Sequence, residues 1–72
     1  MPEITVANEN QVKELEERLR QWAQMTHYNC AQVAMFTRLE GMSYWSTWVK
    51  VFWESESWGL HLYDDGRIER VC

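Results

Sequence analysis

The chain is poor in the residues that interrupt or staple a fold: one Pro, three Gly and two Cys in 72 positions. So little Pro and Gly excludes collagen-like and low-complexity architectures. Two Cys, at 30 and 72 with no CxxC spacing, exclude a disulfide framework and point away from a zinc site. His27 and His61 are far apart, and neither has a Cys or a second His at metal-ligand spacing. There is no Gly-rich phosphate loop, and no apolar run approaches the ~20 residues of a membrane-crossing helix. Basic residues are also scarce, seven against eleven acidic, for a net charge of −4. Large apolar side chains are plentiful instead: five Trp, three Tyr and two Phe within a 46% hydrophobic composition. The length allows one domain over residues 1–72, and a domain this small buries only roughly 60% of its unfolded surface, so a lean aromatic core is expected. A soluble, cytoplasmic protein without a cofactor is the expectation.

Hydrophobic spacing divides the chain. Residues 1–6 form a short β-prone lead. Asn8 offers a helix N-cap, and Gln11, three positions on, completes a capping box. Val12, Leu15, Leu19, Trp22 and Ala23 then recur at three- and four-residue steps, one stripe of an amphipathic helix ending near Met25. Glu14 with Arg18 and Glu16 with Arg20 are spaced as i,i+4 pairs. Beyond Thr26 the period becomes 2. Strands are predicted over 30–39, 45–53, 58–63 and 67–72, joined by turns at 40–44, 54–57 and 64–66. In the last of these, Asp64-Asp65-Gly66 fits a type I turn closed by Gly66 in a left-handed bulge. The predicted fold is α+β: one amphipathic helix packed on one face of a four-strand antiparallel meander, with the lead strand able to join either edge.

Loop lengths set a register that gathers apolar residues on one face. It pairs Leu39 with Trp45, Met35 with Val49, Val33 with Val51 and Ala31 with Trp53. It also pairs Trp53 with Trp58, Val51 with Leu60, Val49 with Leu62, and Leu62 with Ile68. The helix stripe would cover the Val33/Val49/Val51/Leu60 face, leaving Arg70 and Cys72 as exceptions on the edge strand. The opposite face would then carry three rows: Phe36, Trp48, Tyr63 and Arg67; Ala34, Lys50, His61 and Glu69; and Gln32, Phe52, Gly59 and Val71. One helix cannot cover both faces of such a sheet. Cross-strand stabilisation is the plain reading of these aromatics, with Phe52 shielding Gly59. An interaction face is the sharper one, because aromatics margined by Arg have the composition of binding hot spots.

Catalysis is poorly supported. His61 beside Lys50 and Glu69 reads as a solvated surface histidine, and nothing orients a Cys30–His27 pair. The candidate partner-binding residues are therefore Phe36, Trp48, Tyr63, Arg67, Lys50 and Phe52. Cys72, at an exposed chain end, is a candidate for an intermolecular disulfide, with two reduced thiols as the default. Arg38, Lys50, Arg67 and His61 among the aromatic rings would suit single-stranded nucleic acid, but the acidic balance disfavours it against a protein partner. Pairing of two aromatic faces in a homodimer is the other alternative.

The run from Trp58 to Asp65-Gly66-Arg67 resembles the opening of a WW domain, yet that domain's second Trp and closing Pro are missing. An acidic chain of one helix on an aromatic sheet, with Trp58, Leu60, Asp65, Gly66 and terminal Cys72, is similar to small phage-encoded inhibitors of the anti-CRISPR type. That resemblance implies a non-catalytic protein acting in a host cytoplasm, where it blocks a nucleoprotein complex such as a CRISPR-Cas effector by occupying one of its surfaces.

Overall fold

The computed structural model describes residues 3–52 and 56–71. Its elements run β1 (Ile4–Val6), α1 (Glu9–Thr26), β2 (Cys30–Gln32), β3 (Thr37–Leu39), β4 (Tyr44–Val51), β5 (Glu56–Tyr63) and β6 (Ile68–Arg70). Among the described residues the architecture is α+β, a single helix on an antiparallel sheet of six strands. The six arise because the predicted strand 30–39 is broken into β2 and β3, and because the lead strand joins the sheet.

Helix α1 begins where the capping box places it. The Asn8 side chain accepts from the Gln11 backbone N–H at 2.9 Å, and the Gln11 side chain accepts from the Asn8 N–H at 2.8 Å. Two of the four orphan donors of the first turn are thereby satisfied. At the other end His27 adopts the left-handed conformation, φ 61°, and the Tyr28 N–H returns to the Ala23 carbonyl at 3.0 Å. This is a Schellman stop with His where Gly is usual. The helix buries Leu15 and Leu19, with Val12 and Trp22 partly buried beside them. The surface pairs differ from the expected ones: Arg20 bridges Glu17, and Arg18 donates to the Tyr63 carbonyl at 2.6 Å, tying helix to sheet.

The covered face of the sheet holds Trp45, Val49 and Val51 of β4 and Trp58, Leu60 and Leu62 of β5, all buried. Sequence alternation assigns these six correctly, although the β4–β5 register is displaced by four residues. Val49 lies opposite Trp58, Thr47 opposite Leu60 and Trp45 opposite Leu62. A shift by an even number preserves faces, so the core survives the error. The β5–β6 register is as expected, with Leu62 opposite Ile68 and His61 opposite Glu69, and Gly66 takes φ +96° in the connecting turn.

The segment 30–39 is the main correction. Cys30, Ala31 and Gln32 pair with Val51, Lys50 and Val49, whereas Thr37 pairs with Ser46. Between those pairings residues 33–36 face only Thr47 and Trp48, so two extra residues bulge out of the ladder. Measured against the expected register, Ala31 is displaced by three residues and Thr37 by one, odd shifts that turn the whole segment over. Val33 (57% exposed), Met35 (67%) and Leu39 (36%), expected in the core, are exposed, and so is Ala31. Phe36, expected on the open face, is 1% exposed and packs in the core.

The bulge has an identifiable anchor. Thr47 is the one buried polar side chain among the described residues. Its hydroxyl donates to the Ala34 carbonyl at 2.8 Å and accepts from the Gln32 side-chain amide at 3.0 Å, while the same amide reaches Ala34 O at 2.6 Å. The bulge backbone thus finds inside the protein the partners that the broken ladder denies it. Strand β1 then pairs with β3, Ile4 opposite Leu39 and Val6 opposite Thr37, and fixes the lead strand at that edge. Trp53 and its expected pairings lie outside the described residues.

Candidate functional site

The open face is built by the residues of β4 and β5 that alternate with the core. Tyr44, Ser46, Trp48 and Lys50 project from β4, between the buried Trp45, Thr47, Val49 and Val51. Direct pairing places Tyr63, His61, Gly59 and Ser57 beside them in that order. Glu69 follows His61 across the next ladder, and the Tyr63 N–H donates to the Arg67 carbonyl at 2.7 Å.

Two patches result. The first is a plate of rings: Tyr44 stacks on His61 at 3.9 Å and 14°, and Tyr63 lies tilted against Tyr44 at 5.1 Å. Arg67 stands 4.3 Å from the centre of the Tyr63 ring and bridges Glu69 at 3.4 Å. Desolvation by these neighbours, the negative charge of Glu69 and a hydrogen bond to it push the Tyr63 phenol above its ordinary range. The second patch is Trp48 laid over Gly59. A Cβ at Gly59 would come within 3.2 Å of Val71 and 3.6 Å of the Trp48 ring, so the two side chains occupy the place a larger residue would need. This covering of a strand glycine by a cross-strand aromatic replaces the expected shielding by Phe52. Trp48 and Val71 are nonetheless each 44% exposed, and they flank a shallow hollow of about 230 Å³ that His61 and Ser46 complete.

Trp48, Lys50, Tyr63 and Arg67, four of the six expected partner-binding residues, therefore share this face. Phe36 is removed from it by the odd register shift, and Phe52 is exposed beyond the end of β4, where its N–H donates to Asn29 O at 3.0 Å. Arg38 is likewise turned inward. Its guanidinium lies 4.6 Å from the Trp45 ring, its Nε donates to the Tyr44 carbonyl at 3.3 Å, and it pairs with Asp64. Cys30 packs against the core, and burial pushes its thiol pKa up. Cys72 lies outside the described residues.

Sequence reasoning missed Tyr44 as a contributor, whereas Val71 lies beside Gly59 as the expected row has it. Tyr44 was assigned to a turn, but alternation back from Trp48 through Ser46 would have placed it on the open face. The helix-to-sheet corner holds another unforeseen cluster. Tyr28 meets Trp22 at 5.6 Å and Trp58 edge-on at 4.7 Å, and Arg70 caps Trp58 at 3.9 Å. The Trp58 indole N–H donates to Glu56 at 3.1 Å, so the expected charge exception at Arg70 is a lid on the core's aromatic rim.

Among the described residues no group of three or more His, Cys, Asp or Glu converges as a metal site would require, and no helix is long and apolar enough to cross a membrane. No protein-family model matches the chain, and no curated protein or solved structure matches it either.

Proposed function

We propose that this protein is a non-catalytic binding module whose open sheet face docks on another protein, and that it inhibits by occluding the surface it covers. The observation that carries the reading is the lack of cover on this face: Trp48 and Val71 are solvent-exposed beside a plate of Tyr44, His61, Tyr63 and Arg67, while the only helix among the described residues lies on the opposite side. Trp, Tyr and Arg dominate binding energy where they are desolvated together, and here the strands present them already positioned. Lys50, exposed beside Trp48, supplies a charge at the margin. The similarity to small phage-encoded inhibitors extends the proposal to a host nucleoprotein complex, such as a CRISPR-Cas effector, as the target.

Two features favour protein over single-stranded nucleic acid. Arg38 is committed to Trp45 and Asp64 on the covered side, and Arg67 is balanced by Glu69, so the face offers little net positive charge. The test is affinity capture with the wild type and with a Lys50→Glu/Tyr63→Ser variant of unchanged melting temperature, followed by footprinting of the captured complex. The reading expects a partner that the variant loses and that protects Trp48 and Tyr63. A partner retained in full by the variant would overturn it, as would Trp48 fluorescence quenched by an oligonucleotide at low salt and restored by added salt. Light scattering is expected to give a monomer, and a dimer broken by the same variant would transfer the face to self-association.

A further inference from the structure

A second surface, on the helix side, arises from the broken strand. Strand β1 covers β3, but β2 pairs with β4 and with no other strand among the described residues. Val33 N–H donates to Trp48 O at 2.9 Å, and Phe52 N–H donates to Asn29 O at 3.0 Å. In an antiparallel ladder the groups facing the partner strand alternate, so Asn29, Ala31 and Val33 turn their backbones towards β4. The N–H and C=O groups of Cys30 and Gln32 then point to the open edge. The edge is also undefended: the run Cys-Ala-Gln-Val has neither charge nor Pro, whereas β6 at the far edge carries Glu69 and Arg70.

Beside this edge the flank of α1 leaves a groove of about 540 Å³ between the helix and β2. Leu19, Ala23 and Cys30 contribute its apolar lining, and Glu16 and Arg20 stand on the helix side. Arg20 is engaged by Glu17, so Glu16, which has no ion pair among the described residues, sets the uncompensated charge. A strand added at β2 would point alternate side chains into this groove, beside Cys30 and Gln32, and the remainder towards the open-face side, beside Ala31.

We propose that the β2 edge and its groove accept an extended peptide from a partner, by strand addition, with small apolar residues at alternate positions and a basic residue that meets Glu16. Strand addition derives affinity from main-chain hydrogen bonds and specificity from pockets for alternate side chains, and this edge supplies both. The site is separate from the open face and does not depend on the function proposed for it.

The probe is the capped peptide Lys-Val-Thr-Val-Thr-Val-Lys, titrated into isotopically labelled protein and followed by backbone amide shifts. Two N-methylated analogues, blocked at alternate amides in each of the two phases, serve as controls that leave the protein's own folding untouched. The expected result is saturable shifts at Cys30, Gln32 and the 16–24 face of α1, at least tenfold weaker binding by one analogue, and at least threefold weaker binding by Glu16→Lys. Lys50→Glu/Tyr63→Ser should bind the peptide as the wild type does. Shifts confined to Trp48, Tyr63 and their neighbours would overturn the proposal. So would equal binding by the peptide and both analogues, no saturable shift at all, or edge shifts produced by protein dilution alone, which would assign the edge to a second copy of the chain.

Discussion

The two halves of the sheet obey different rules. In β4, β5 and β6, strict alternation sorts residues cleanly: Trp45, Val49, Val51, Trp58, Leu60 and Leu62 go inward, and Trp48, Lys50 and His61 go outward. In the 30–39 segment the same alternation gives the inverted answer, because its register onto β4 is displaced by an odd number of residues, one at Thr37 and three at Ala31. An apolar residue on a strand is therefore only as well placed as the parity of its register: a shift of four leaves the β4–β5 core intact, and shifts of one and three invert 30–39. The regular half fixes the core and the binding face, and the bulged half decides which aromatics belong to each.

The sharpest way to break this contrast is to truncate neighbours across the bulge. Phe36→Ala should cost about 3–5 kcal/mol of stability, the usual toll for emptying a buried aromatic site. Met35→Ala, next to it and 67% exposed, should stay within about 0.5 kcal/mol. Urea denaturation of both checks the pair, and near-equal losses would show that the segment does not turn over. Thr47→Val is the next probe. In a regular strand the change would be benign, but here it removes the hydroxyl shared by Ala34 O and the Gln32 amide, for a loss of about 1–3 kcal/mol. Hydrogen exchange should then rise at 33–36 before it rises in β5.

Much of this was legible beforehand. The capping box at Asn8 and Gln11, the helix stripe, the Asp-Asp-Gly turn and the inward set of β4 and β5 all follow from local chemistry that tertiary contacts reinforce. The inversion of 30–39 was not, because Val33 and Met35 are apolar and a continuous strand would have buried them profitably. The one available hint was Thr47, a polar residue among apolar neighbours on the inward face. Read strictly, it calls for a polar partner beneath the helix, and the bulge carbonyl is that partner. Of the candidate site, Trp48, Tyr63, Arg67 and Lys50 were recoverable since all lie in or beside the regular half, whereas Phe36 was misplaced since the register of 30–39 on β4 differs from the expected one by an odd number of residues.

Smaller effects sharpen the comparison at its margins. Asn8→Ala should cost about 1 kcal/mol through loss of the cap, with thermal unfolding as the measure. His27→Gly should stabilise by up to ~1 kcal/mol, since His27 holds a left-handed conformation that Gly adopts without strain. Burial raises the Cys30 thiol above its ordinary 9.0. Its neutral form is favoured in the fold, so its contribution is complete below that ordinary value and is lost as pH rises through the folded one. Stability should therefore fall above about pH 9 by an amount that Cys30→Ser diminishes, and Tyr63, raised from 10.0 on the open face, should add a further decline that Tyr63→Phe removes.

The most direct measurement is hydroxyl-radical footprinting of the free protein, which reads both halves of the sheet at once. Met35 and Trp48 should be modified readily, while Phe36, Trp45 and Trp58 stay protected until the protein unfolds. Rapid modification of Phe36 with protection of Met35 would restore the register expected from the sequence and return Phe36 to the open face.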